Sequence, residues 1–122
     1  MVTSVTSFGR SGLSDWLSQR VSAIILAAYS VFIVAYLVMN PGLDYAQWLA
    51  LHQFLPMKIF SLATAVSIAV HAWIGLWSVL TDYVTVRLMG AKATALRVLL
   101  QVGMIIVILA YVVWAIDILW GI

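Results

Sequence analysis

Three unbroken apolar runs dominate the chain, at roughly 21–39, 59–80 and 98–120. Each has about the 20 residues a helix needs to cross a hydrocarbon layer about 30 Å thick. Backbone groups in lipid must bond within their own segment, and runs of this kind do so as helices rather than as the alternating strands of a barrel. The pattern predicts an all-α integral membrane protein with three transmembrane helices, organised as one small domain over residues 1–122. Asn40-Pro41-Gly42 ends the first helix with a turn, and Pro56 stands near the opening of the second. Between them, 44–55 reads as an amphipathic loop with Tyr45 and Trp48 as interface anchors. Gly90 is the expected break in the short basic loop 84–95. Residues 1–11 read as a loosely held arm. Leu13, Trp16 and Leu17 share a helical face, so 14–20 either continues into the first helix or lies in the interface before it. Ser22, Ala23, Ala27, Ala28 and Ser30 are small enough to let the first helix pack closely on a neighbour.

The second run carries the informative exception. At 3.6 residues per turn, Thr64, Ser67, His71, Gly75, Ser78 and Asp82 follow one another at helical spacing and line a single narrow face. Lipid does not tolerate a polar strip, so this face must look into protein or at a cofactor. His71 lies about 17 Å along the axis from Asp82, which puts it near mid-membrane if Asp82 marks the interface.

Composition supports the membrane class: 66% of the 122 residues are hydrophobic and 8% are charged. Cysteine is absent, which excludes iron–sulfur or thiolate haem ligation by this chain. The polar first twenty residues lack the apolar core of a cleavable signal, so the first helix is expected to insert permanently. Arg10, Arg20, Arg87, Lys92 and Arg97 all fall on one side of a three-span topology, and Lys58 alone on the other. The positive-inside rule then predicts a cytoplasmic N-terminus and a C-terminus on the opposite, outer side of the membrane. These cations are topogenic and imply no nucleic acid; some are suited to anionic lipid or a peripheral partner. Three helices enclose no large cavity unaided, so the chain is expected to work inside a larger assembly.

Two chemistries fit His71. It is either a packing histidine bonded to a neighbouring helix or an axial ligand of haem iron, with Gly75 leaving room for a flat macrocycle and Ser67 and Ser78 able to bond its edges. One histidine ligates one side of the iron, so a six-coordinate haem needs a second ligand from another subunit. Asp82 ends the helix where the dipole disfavours an anion, which calls for a cation such as Arg20, Arg87 or a partner's arginine. Tyr83 is either an interfacial belt tyrosine or a donor to a quinone carbonyl at the membrane surface. His52, Asp117 and the Trp73/Trp77 pair are adequately explained as a headgroup histidine in a mobile loop, an acid near headgroup water, and packing. Arg20 alone would be a snorkelling flank.

HAWIGLWSVLTDYV, from His71 to Val84, resembles the second-helix signature of the small hydrophobic membrane anchor of bacterial succinate dehydrogenase. Asp15-Trp16, Gln19-Arg20 and Ser22-Ala23 resemble the start of that family's first helix, and Leu96-Arg97 with Leu100-Gln101 the start of its third. The resemblance covers nearly the whole chain. It implies half of a heterodimeric haem-binding helical bundle in a multi-pass subunit of the bacterial inner membrane. Such a chain has no catalytic activity of its own. It shares haem b with a larger cytochrome b chain and docks the iron–sulfur and flavoprotein subunits, which hold the iron–sulfur clusters and FAD. It also forms part of a ubiquinone-reduction site, in a complex that links the tricarboxylic acid cycle to electron transport. On this resemblance His71 is an axial ligand of the haem iron and Arg20 lies near the haem propionates. Tyr83 bonds a ubiquinone carbonyl, and Asp82 helps set the arginine network at that pocket. The alternatives are the anchor of a fumarate reductase or other haem-b quinone oxidoreductase, and a haem-free scaffold or small transporter.

Overall fold

The computed structural model describes residues 12–122, apart from the side chain of Val86; the arm expected at 1–11 lies outside them. The described residues form α1 (Gly12–Met39), α2 (Tyr45–Gln53), α3 (Leu55–Asp82), α4 (Val86–Met89) and α5 (Lys92–Trp120). Three of these, α1, α3 and α5, are long and apolar enough to cross a membrane. All three begin earlier than the apolar runs do. Hydropathy marks the part of a helix embedded in oil, whereas the hydrogen-bond ladder continues through polar turns such as Ser14–Arg20. Asp15 in the first turn of α1 suits the positive end of the helix dipole.

The stretch expected to be an amphipathic loop is instead the nine-residue helix α2. Its start is a capping box: Asp44 Oδ1 accepts from the Gln47 backbone N–H at 2.8 Å, and Gln47 Oε1 accepts from the Asp44 N–H at 3.1 Å. Two orphan donors are thereby satisfied, which stabilises a helix too short to persist on propensity. Ahead of it, Asn40 Nδ2 donates to the Tyr36 carbonyl at 2.8 Å and helps close α1.

Helix α3 is the middle element. It packs against α1 on one side and α5 on the other, while α1 and α5 make no direct pairing among the described residues. Tyr29 joins α1 to α3 near the Asn40 end, its ring edge-on to Phe60 at 5.0 Å and its hydroxyl 2.8 Å from Ser61 Oγ. Lys58 Nζ stands 5.6 Å over the Trp120 ring and ties the start of α3 to the end of α5. At the opposite end, Leu80, Val84 and Ala93 are buried together against Leu76 and Leu96. There the Arg97 guanidinium donates to the Val84 carbonyl at 2.6 Å. Gly90, with φ of 75°, takes the left-handed conformation that lets α4 turn into α5. Ser22, Thr64 and Ser67 are buried, and with so few apolar side chains inside, close approach of α1 to α3 depends on small residues.

Candidate functional site

The six-residue polar face expected on the second span divides in two. Thr64 and Ser67 are buried under α1, whereas His71, Ser78 and Asp82 are exposed and Gly75 is half-buried. An oblique crossing of α1 accounts for the division. Ser22 of α1 meets His71, but farther toward its start α1 leaves the strip. There Ser14 and Ser18 border a cleft of about 430 Å³ with Trp73, Ile74, Ile105 and Ile108. The lower strip is therefore left open on the surface of the chain.

His71 sits about midway between the ends of this face, on a 28-residue helix that is otherwise greasy. Its Nδ1 lies 3.2 Å from Ser22 Oγ, and Ser22 Oγ donates to the Gln19 carbonyl at 3.1 Å. The other ring nitrogen, Nε2, has no partner among the described residues. One turn on, a Cβ built at Gly75 would meet nothing within 4 Å, so the space beside the imidazole is open. Ser67, expected to reach toward that space, is buried in the α1 contact, and the Ser78 hydroxyl donates back to the Ile74 carbonyl at 3.1 Å. Among the described residues no three His, Cys, Asp or Glu side chains gather as a metal site. The donor set thus fits a group needing one imidazole from this chain and a flat open wall. It does not fit a metal ion held by this chain alone.

Asp82 is the last residue of α3 and Tyr83 is its C-cap, whose N–H donates to the Val79 carbonyl at 2.9 Å. Tyr83 is 66% exposed, so its phenol stands clear of the chain. No ion pair to Asp82 exists among the described residues. The Arg20 guanidinium lies 5.3 Å from the centre of the Trp16 ring, and Arg87 is exposed on α4. Arg97 secures the turn after Tyr83 through its bond to Val84. His52 is more ordered than a mobile loop would make it: it belongs to α2, Nδ1 donates to the Trp48 carbonyl at 2.9 Å, and its ring lies 4.4 Å from that of Trp48, tilted by 51°.

Two residues gain a role that their sequence positions concealed. Ser22 reads as one of several small packing residues, and its pairing with His71 spans 49 positions. Arg97 reads as a topogenic cation, and its carbonyl partner lies across a turn. Only the helix arrangement reveals either contact.

Residues 4–113 match the family described as succinate dehydrogenase/fumarate reductase transmembrane subunit. Over 111 residues the chain is 40% identical to a succinate dehydrogenase hydrophobic membrane anchor subunit of Coxiella burnetii, covering 91% of this chain and 90% of the relative. A protein of the same description from Rickettsia conorii is 30% identical over 105 residues, 85% of this chain and 81% of its own. With three helices able to span a membrane and a match over most of its length, this chain belongs to the succinate dehydrogenase/fumarate reductase transmembrane subunit family, as a multi-pass membrane anchor.

Proposed function

We propose that the chain is the anchor that, with a larger cytochrome b chain, holds haem b and part of the ubiquinone-reduction site of a succinate dehydrogenase. The observation that carries this reading is His71: an exposed imidazole midway along an apolar helix, with Nδ1 engaged and open space at Gly75. Lipid would leave such a group unsatisfied, so a partner must cover it. A haem held with a partner chain would cover it, and His71 Nε2, the nitrogen that faces outward, would ligate its iron. When bound, the haem supplies a one-electron redox centre within the membrane. The chain's own contribution is to present Nε2 from a rigid helix, leave the wall at Gly75 flat, and offer the exposed Arg20 to the propionates.

About 18 Å farther along α3, Tyr83 presents its phenol at the membrane surface as donor to a quinone carbonyl, with Asp82 beside it to hold a partner's arginine. The end bearing Arg20, Arg87, Lys92 and Arg97 faces the cytoplasm, where the iron–sulfur and flavoprotein subunits dock and succinate is oxidised. The C-terminus is periplasmic, in a bacterial inner membrane. Both relatives carry the succinate dehydrogenase name, which favours quinone reduction over the fumarate-reducing direction that the family description also covers.

Absorption spectroscopy of the purified complex tests the reading. The expected result is a haem b spectrum that His71→Ala alters or abolishes. A colourless complex would support a haem-free scaffold, and an unaltered spectrum in His71→Ala would remove His71 as ligand.

A further inference from the structure

We propose that Ser22 is the positioning residue of His71, fixing both the tautomer and the plane of the imidazole that faces the haem iron. This rests on the reading of His71 as an axial ligand. Ser22 Oγ lies 3.1 Å from the Gln19 carbonyl and 3.2 Å from His71 Nδ1. A hydroxyl has one proton and two lone pairs, and a carbonyl oxygen only accepts. With the proton given to Gln19, Oγ is left to accept, so the bond to His71 runs from Nδ1–H to Ser22. An imidazole protonated at Nδ1 keeps its lone pair on Nε2, the nitrogen that points away from α1. The relay Nε2 (lone pair), Nδ1–H, Ser22, Gln19 carbonyl therefore sets the form of the ring that can ligate iron.

Burial makes the contact consequential. Ser22 is 3% exposed, so water has no ready path to replace its hydroxyl. Without it, Nδ1 loses its acceptor in an apolar setting, the ring gains freedom to rotate about its side-chain bonds, and the competing tautomer loses its handicap. A serine that merely packed α1 on α3 would satisfy itself with the Gln19 carbonyl and need no imidazole.

The test uses the whole complex carrying Ser22→Ala, with Ser22→Thr to restore the hydroxyl and His71→Ala as reference. Three readouts are independent of turnover: the low-spin EPR gmax, which follows ligand-plane orientation, the haem midpoint potential, and the rate of haem transfer to apomyoglobin. Ser22→Ala is expected to shift gmax, to raise the potential because a less basic imidazole stabilises ferric iron less, and to speed haem transfer about tenfold. Ser22→Thr returns all three toward the parent values. If Ser22→Ala does not assemble, Ser22→Cys keeps the branching of serine, in a slightly larger side chain, with a weaker acceptor, and shifts in the same directions are expected. Parent values of all three in the assembling variant, beside a haem altered by His71→Ala, overturn the role of Ser22 and leave the ligand reading standing. A haem indifferent to His71→Ala overturns that reading itself.

Discussion

His71 stands midway along α3 and Tyr83 caps its end, so the roles proposed for them draw on different surroundings. His71 is informative because it is a polar group where lipid should be, which makes it legible from sequence alone. Tyr83 stands at a helix end where belt tyrosines are common, and its exposure at the C-cap of α3 is what its proposed quinone role draws on. Phenylalanine there keeps the ring and removes the donor. Tyr83→Phe is therefore expected to cut quinone reduction by about 5- to 30-fold, the loss of a donor bond to substrate being worth about 1 to 2 kcal/mol. The haem spectrum should be unchanged, because α3 between His71 and Tyr83 is untouched. Steady-state quinone reduction alongside absorption spectra measures both; full turnover in the variant would return Tyr83 to the belt. Ser22 is hidden at this scale, since nothing in a serine among alanines signals a partner on another helix.

At the scale of elements, the three long helices are legible because apolar length is a direct physical requirement of crossing lipid. Their starts are not, because polar first turns continue a helix without continuing its hydropathy. Helix α2 escapes a reading by amphipathic composition, although Asp44 and Gln47 spell its capping box. The turn from α3 into α5 carries a testable consequence. Arg97 donates to the Val84 carbonyl beside the buried Leu80–Ala93 contact, so it fixes the backbone that follows Tyr83. Arg97→Ala is expected to remove about 2 kcal/mol of local stability, by the usual worth of a charged hydrogen bond. Thermal unfolding of the complex should come at lower temperature, and the Michaelis constant for quinone should rise. The haem spectrum, set about 20 Å away along α3, should stay as in the parent. An unchanged melting temperature and Michaelis constant would show that the turn holds without Arg97.

At the scale of the whole molecule, α3 packs between α1 and α5 among the described residues, its polar strip half covered and half open. That arrangement is not legible in the sequence, because apolar periodicity does not say which neighbour covers which side of a helix. The proposed orientation rests on charge alone: among the described residues, Arg20, Arg87, Lys92 and Arg97 lie toward one end of the helices and Lys58 toward the other. Because the chain has no cysteine, the orientation can be read with single introduced thiols and a membrane-impermeant maleimide. Ala46, exposed on α2, and Met89, exposed on α4, are at opposite ends and carry no charge whose loss would bias insertion. Ala46→Cys should react in intact cells, and Met89→Cys only after the cells are opened and the docked subunits stripped with denaturant. Reaction of Met89→Cys in intact cells would place Asp82 and Tyr83 on the periplasmic side. The quinone pocket would then lie across the membrane from the subunits proposed to feed it electrons, and the positions of the charges and the chemistry of the site could no longer both be right.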